Sequence, residues 1–177
     1  MFADGGGGTA ANVFQFVVYR LPMTGYSEVN QPNTPARELL YTDSGTENRD
    51  AHGPAVTKHE KYTWIFDRGA NVAEVFDSDS GVRVNTVNLV SELSQDPTVD
   101  LVGESPDRKF FFGSLRGPNP LSGGPHSSTG STPGLLVMKL TGDGTDMQVR
   151  GLVPISNKDE NGVERADGHG IRVRLRR

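Results

Sequence analysis

Three histidines, two arginines and three aspartates hold most of the chemistry this chain could perform. His52 and His169 stand in the same four-residue frame, Asp50-Ala51-His52-Gly53 and Asp167-Gly168-His169-Gly170, 117 residues apart. His126 lies in a segment rich in Gly, Pro and Ser, between Ser122 and Ser127. Neutral imidazoles are ligands for zinc, copper or iron, so His52, His126 and His169 form a candidate site for a divalent transition metal. Two other uses stay open for them: acid/base catalysis, or donation to a neighbouring strand that ties one structural unit to the next. Arg68 and Arg116 each precede a glycine, and their planar guanidinium forks suit a carboxylate or phosphate ligand, or one of the nearby aspartates Asp50, Asp67 and Asp167. Acyl transfer by a serine beside His126 lacks both a Gly-x-Ser-x-Gly elbow and an acid placed to orient the ring.

Composition removes other classes. The 177 residues contain no cysteine, which excludes disulfides, thiolate metal sites and a Cys nucleophile. Lys and Arg number 18 against 22 Asp and Glu, a formal charge of -4, where a nucleic-acid grip usually needs a basic face. The tail Arg172, Arg174, Arg176, Arg177 does not reverse that balance. With 34% hydrophobic residues there is no apolar run long enough to span a bilayer as a helix. The opening residues show neither the basic nor the apolar region of an export signal. Asp77-Ser78-Asp79-Ser80-Gly81 lacks the remaining ligands of a calcium loop and reads as a tight turn. Gly5 to Gly8 lacks the Lys-Ser/Thr of a phosphate loop.

The elements that must position these side chains are strands. No stretch keeps a helical stripe; β-branched and aromatic runs are bounded by Gly, Pro, Asn and Asp. The pattern predicts strands at Val13 to Tyr19, Ala36 to Thr42, Gly53 to Thr57, Tyr62 to Phe66 and Val72 to Phe76. Further strands are expected at Val82 to Leu89, Val99 to Glu104, Lys109 to Ser114, Gly134 to Leu140, Met147 to Leu152 and Ile171 to Leu175. Trp64, Phe110 and Phe112 are expected in the core between units.

The strands repeat. Thr57 to Trp64 aligns with Ser105 to Phe112 at an offset of 48, which carries on to Arg68-Gly69 and Arg116-Gly117. Ala3-Asp4-Gly5 echoes Phe66-Asp67-Arg68 more weakly, so the chain is expected to open near the end of a second strand. Tandem four-stranded antiparallel units of this length mark a β-propeller. The fold class is therefore all-β, a partial β-propeller of about two and a half blades. Residues 1-49 form an incomplete blade, 50-97 a blade, 98-165 a blade with a long 117-133 loop, and 166-177 the first strand of a further blade. In such a meander His52, His169, Arg68, Arg116 and His126 share one face, and His59 falls on the other. The long loop is the most function-like segment, because insertions on a rigid repeat scaffold commonly carry binding residues.

Asn71-Val72 with Val75-Phe76-Asp77, "SPDRKFFFGS" from Ser105 to Ser114, and Ser114 to Gly134 together resemble the YVTN-type repeat proteins, seven-bladed propellers of bacterial periplasms and surface layers. The resemblance implies a periplasmic or extracellular setting. It departs from that family in length, since propellers close with about 4 to 8 blades. Either the other blades lie elsewhere, or a second copy completes a ring. The function expected is a non-catalytic scaffold presenting its His/Arg face and the long loop, with Arg68, Arg116, Ser122, His126 and Ser127 as binding residues, to a ligand or protein partner. The alternatives are a metal-dependent propeller enzyme, a lactonase-like hydrolase or an oxidoreductase, and a cell-surface structural repeat.

Overall fold

Burial in the strand Tyr62–Asp67 runs almost unbroken, with five of its six residues buried, which is the pattern of a sheet covered on both faces. The computed structural model describes residues 1–5, 16–25, 27–29, 36–43, 49–121 and 128–174. They form three antiparallel meanders. The first is β1 (Phe2–Gly5), β2 (Phe16–Arg20) and β3 (Glu38–Asp43). The second is β4 (Ala51–Val56), β5 (Tyr62–Asp67), β6 (Val72–Asp77) and β7 (Arg83–Asn88). The third is β8 (Val99–Glu104), β9 (Phe110–Leu115), β10 (Gly134–Thr141) and β11 (Asp146–Pro154). The fold is all-β, and the consecutive four-stranded sheets are blades of a partial propeller.

Stacking of the sheets follows from alternation. Successive side chains on a strand point to opposite faces, so each sheet buries one set of residues against the sheet before it and the other against the sheet after it. Trp64, Phe66, Ala73 and Val75 of the second sheet meet Val99, Phe111, Leu115, Leu136 and Met138 of the third. Ile65 and Phe76, on the reverse face, meet Phe16 and Val18 of the first. Trp64 crosses Phe111 edge-on, at 5.6 Å between centroids and 86° between planes, and its indole N–H donates to the Gly144 carbonyl at 2.8 Å. Phe110 and Phe112, expected in the core between units, lie on the face of β9 turned away from the second sheet, stacked on each other and half-buried. The buried aromatic is the one between them, because only odd positions of β9 face the second sheet.

Two strand expectations change. β1, where the echo predicts the end of a second strand, pairs with β2 along its whole length, so the first sheet has three strands among the described residues. The strand expected at Ile171 to Leu175 forms no ladder among its described residues, Ile171 to Arg174. That segment runs beside β8 all the same, with Ile171 and Val173 against Gly103.

The innermost strands β4 and β8 approach each other closely, and Gly53 permits it. Its φ is +62°, and a Cβ there would overlap the Asp100 carbonyl oxygen. Gly170, in the matching His-Gly step, has no positive φ and would meet only Leu101 Cδ1, at 3.6 Å. The two steps are alike in sequence and unlike in constraint. Gly53→Ala should lower stability by about 2 kcal/mol or more, from left-handed strain plus the clash. Gly170→Ala should stay within about 0.5 kcal/mol of the parent in urea unfolding; equal effects would disprove the asymmetry.

Candidate functional site

One end of the inner strands gathers the residues singled out by type and spacing. Asp100 is the centre: its side chain is 1% exposed, and four basic groups converge on it. His52 Nε2 lies 2.7 Å from Oδ1, Arg68 donates to the same oxygen at 2.9 Å, and His169 Nδ1 lies 2.8 Å from Oδ2. Arg116 stands 4.0 Å from Oδ2. Burial by itself would raise the Asp100 carboxyl. The His52 hydrogen bond and the charges of His52, Arg68 and Arg116 outweigh it and hold the carboxyl below its ordinary value.

The flanking pairs extend this arrangement. Arg68 reaches back to Asp50 at 2.9 Å. Arg116 forks onto Asp167, with Nε 2.6 Å from one carboxylate oxygen and a terminal nitrogen 2.9 Å from the other. His169 Nε2 also lies 2.8 Å from Asp167, so both ring nitrogens face carboxylates. For Asp167 burial again pushes upward, and the Arg116 hydrogen bond, the Gly117 N–H and the charges of Arg116 and His169 bring the group below its ordinary value. The connector leading to Asp167 is stapled by Glu164, which accepts from Ser156 Oγ and from the Asn157 and Ala166 N–H groups. Those bonds bring its carboxyl down to about 2.

Asp67 and Arg49 complete the junction with the first sheet. Asp67 accepts the N–H groups of Asp50, Gly69 and Ala70 and pairs with Arg49. Arg49 also reaches Asp43 at 2.8 Å and the buried Glu74 at 2.7 Å, and lies over the Phe16 ring.

His52, His169, Arg68 and Arg116 thus share one face, and His59 lies at the opposite end in the turn between β4 and β5. Arg68 and Arg116 are buried, and their forks are occupied by aspartates. Ser122, His126 and Ser127 lie outside the described residues. Among the described residues no group of three His, Asp or Glu side chains is arranged to hold a metal ion. Both ring nitrogens of His169 face carboxylates, and His126 lies outside the described residues.

Asp100 and Arg49 were not singled out from the sequence. The signal for Asp100 was available, since the 48-residue offset that aligns Trp64 with Phe112 also aligns His52 with Asp100. The residue type changes between repeats at this position, so similarity of sequence does not mark it.

The 117-133 loop is pinned on the same face at its described end. Ser128 Oγ donates to Asp50 at 3.2 Å, Thr98 Oγ1 to the Thr129 carbonyl at 3.1 Å, and the Ser131 N–H to the Asp96 carbonyl at 3.1 Å. Thr132 is hydrogen-bonded to Ser94.

No family model matches the sequence, and no curated protein matches it. Among solved structures, the chain is similar to a crystal structure from Bacteroides fragilis provisionally named a 6-phosphogluconolactonase, at 13% identity and a TM-score of 0.36. The match covers 88% of this chain and 60% of that one, so the chain spans less than two thirds of that protein's length.

Asp100 and Asp167 both have depressed carboxyl values in the fold. Their contribution to stability is present above the unfolded value, 3.8, and lost as pH falls through the folded value. Asp100→Asn should therefore cost about 3 kcal/mol at pH 7, by leaving buried cations short of a partner. It should also flatten the loss of stability below about pH 4. Urea unfolding at stepped pH measures both, and an unchanged acid limb would contradict the assignment.

Proposed function

We propose that the protein is a non-catalytic propeller scaffold that receives a ligand or protein partner on its His52/His169 rim and the 117-133 loop. The observation that supports this reading is the division of labour on that face. The groups best suited to chemistry are turned inward onto Asp50, Asp100 and Asp167, where they lock one inner strand to the next. The loop is anchored to the blade junction through Ser128, Thr129, Ser131 and Thr132. A rigid base under a long polar loop is the usual construction of a binding surface on a repeat scaffold. The YVTN resemblance adds an exported setting.

The metal-dependent alternative makes a contrary prediction. Hydrolysis of 6-phosphogluconolactone and of simple δ-lactones, measured with and without added zinc, copper or iron, should not exceed the spontaneous rate. A saturable rate lost in His52→Ala with His169→Ala would replace the scaffold reading by the enzyme. Replacing residues 122–127 by a glycine-serine linker should leave the melting temperature within about 2 °C while abolishing chemical cross-linking to any partner captured by the parent chain. Unchanged cross-linking would remove the loop from the binding surface.

A further inference from the structure

The end of the sheets opposite the His/Arg rim carries a charge cluster of the other sign from the chain as a whole. Three turns meet there: residues 57–61 between β4 and β5, 105–109 between β8 and β9, and 141–145 between β10 and β11. They border a cleft of about 540 Å³. Of its lining residues, Lys58, Lys61, Arg108 and Lys109 supply four cations and Asp143 the one carboxylate. The whole chain has a formal charge of -4, so this surplus of positive charge is local. The cleft is built by the second and third sheets, whose four strands are each in place.

The repeat places the cations. Lys61 and Lys109 occupy the same position at the 48-residue offset, just before β5 and at the entry to β9, so each sheet contributes a lysine from the same place. Arg108 has φ +56°, in the left-handed region that glycine adopts most easily, and an arginine there is uncommon. One of its terminal nitrogens donates to the Val56 carbonyl at 2.9 Å and stands 3.3 Å from Glu104. Its other guanidinium nitrogens, and the side chains of Lys58 and His59, have no hydrogen-bond partner among the described residues. Lys109 Nζ lies 3.8 Å from the exposed Asp107, a pairing of little strength in water. The Asp107 carboxylate is engaged by its own turn, where it accepts from Ser105 Oγ at 2.7 Å and the Lys109 N–H at 3.2 Å.

The walls are fixed before any ligand arrives. The Trp64 indole N–H holds the Gly144 carbonyl, and Asn85 Nδ2 donates to the Thr145 carbonyl at 2.8 Å, so the tip of the β10–β11 hairpin is tied to the second sheet. Gly144, at φ +99°, packs so closely on Thr57 that a Cβ would meet its Cγ2 at 3.1 Å. The Arg108 bond to Val56 ties the third turn to the same sheet. A preformed cleft of this kind loses little freedom when it is filled.

We propose that this cleft is a binding site for a small ligand carrying a phosphate group. Ammonium groups act as point charges on phosphate oxygens, and the guanidinium adds directed donors. A phosphate monoester carries about -1.5 to -2 at neutral pH, which balances the surplus of cations better than a single carboxylate does. The volume falls within the roughly 300 to 1,000 Å³ of small-molecule sites, so there is room for an organic group beside the phosphate, against Leu140. The site stands apart from the rim and the 117-133 loop, and it does not rest on the scaffold reading.

Titration calorimetry of the full chain near neutral pH and physiological salt tests it, with inorganic pyrophosphate, inorganic phosphate, phenyl phosphate and triglutamate as probes. Pyrophosphate should bind saturably, one per chain, with a dissociation constant below about 1 mM. Tighter binding of phenyl phosphate than of inorganic phosphate assigns the site to an ester, and the reverse order to the free anion; both orders support a phosphate site. Lys58→Gln with Lys109→Gln, both exposed, should weaken pyrophosphate binding by about ten-fold or more. Asp143→Asn removes the opposing carboxylate and keeps a residue type that tolerates the left-handed φ of +55°, so it should tighten binding. Matching circular dichroism and urea midpoints establish that both variants are folded. Absence of saturable binding overturns the proposal, as does triglutamate binding as tightly as pyrophosphate, or an affinity that neither variant changes in the stated direction.

Discussion

The structure depends on one buried carboxylate. Asp100 sits where the inner strands converge, and three segments far apart in sequence reach it: β4 through His52, the turn after β5 through Arg68, and the 167–174 segment through His169. A charge removed from water is costly unless it is paired and hydrogen-bonded, and the partners themselves must be balanced. Asp50 and Asp167 supply that balance to Arg68 and Arg116. The result is a chain of alternating charge that runs from sheet to sheet around the rim. Its geometry specifies which inner strand sits next to which, a task that apolar packing performs poorly because it is not directional.

Apolar packing does the complementary work farther out. Trp64, Phe66 and Phe111 fill the space between the second and third sheets. Truncating such aromatics commonly costs about 3 to 5 kcal/mol, comparable with breaking a buried ion pair at about 3 to 5 kcal/mol. The blades are thus held by two mechanisms of similar size at different radii. The outer strands contribute less, and β7 is largely exposed. The described end of the 117-133 loop lies over the polar part of this junction, where hydrogen bonds fix its backbone positions.

The blades themselves were readable because their physics is local. Period-two alternation, turn residues and the 48-residue offset predicted nearly every strand from Phe16 onward. The exceptions have local explanations. β1 is short and runs into four consecutive glycines, and it shows alternation too briefly to register. Phe110 and Phe112 looked like core because three aromatics in a row give no parity of their own; the neighbouring sheet decides which face is inside. The shared face of His52, His169, Arg68 and Arg116 was also legible, since a meander returns every second strand end to the same side.

By itself, the sequence determined the all-β class, the four-stranded unit and the end of the sheets on which the reactive residues gather. Only the tertiary structure decided what those residues do. Whether an arginine or histidine meets a ligand or an aspartate depends on distances across strands from different repeats, and those distances are set by how closely β4 can approach β8. Gly53 allows that approach, and Asp100 fills the position where the repeat changes residue type. The pairing of β1 with β2 is likewise a property of the tertiary structure: hydrogen-bond parity along a strand is invisible until its neighbour is in place.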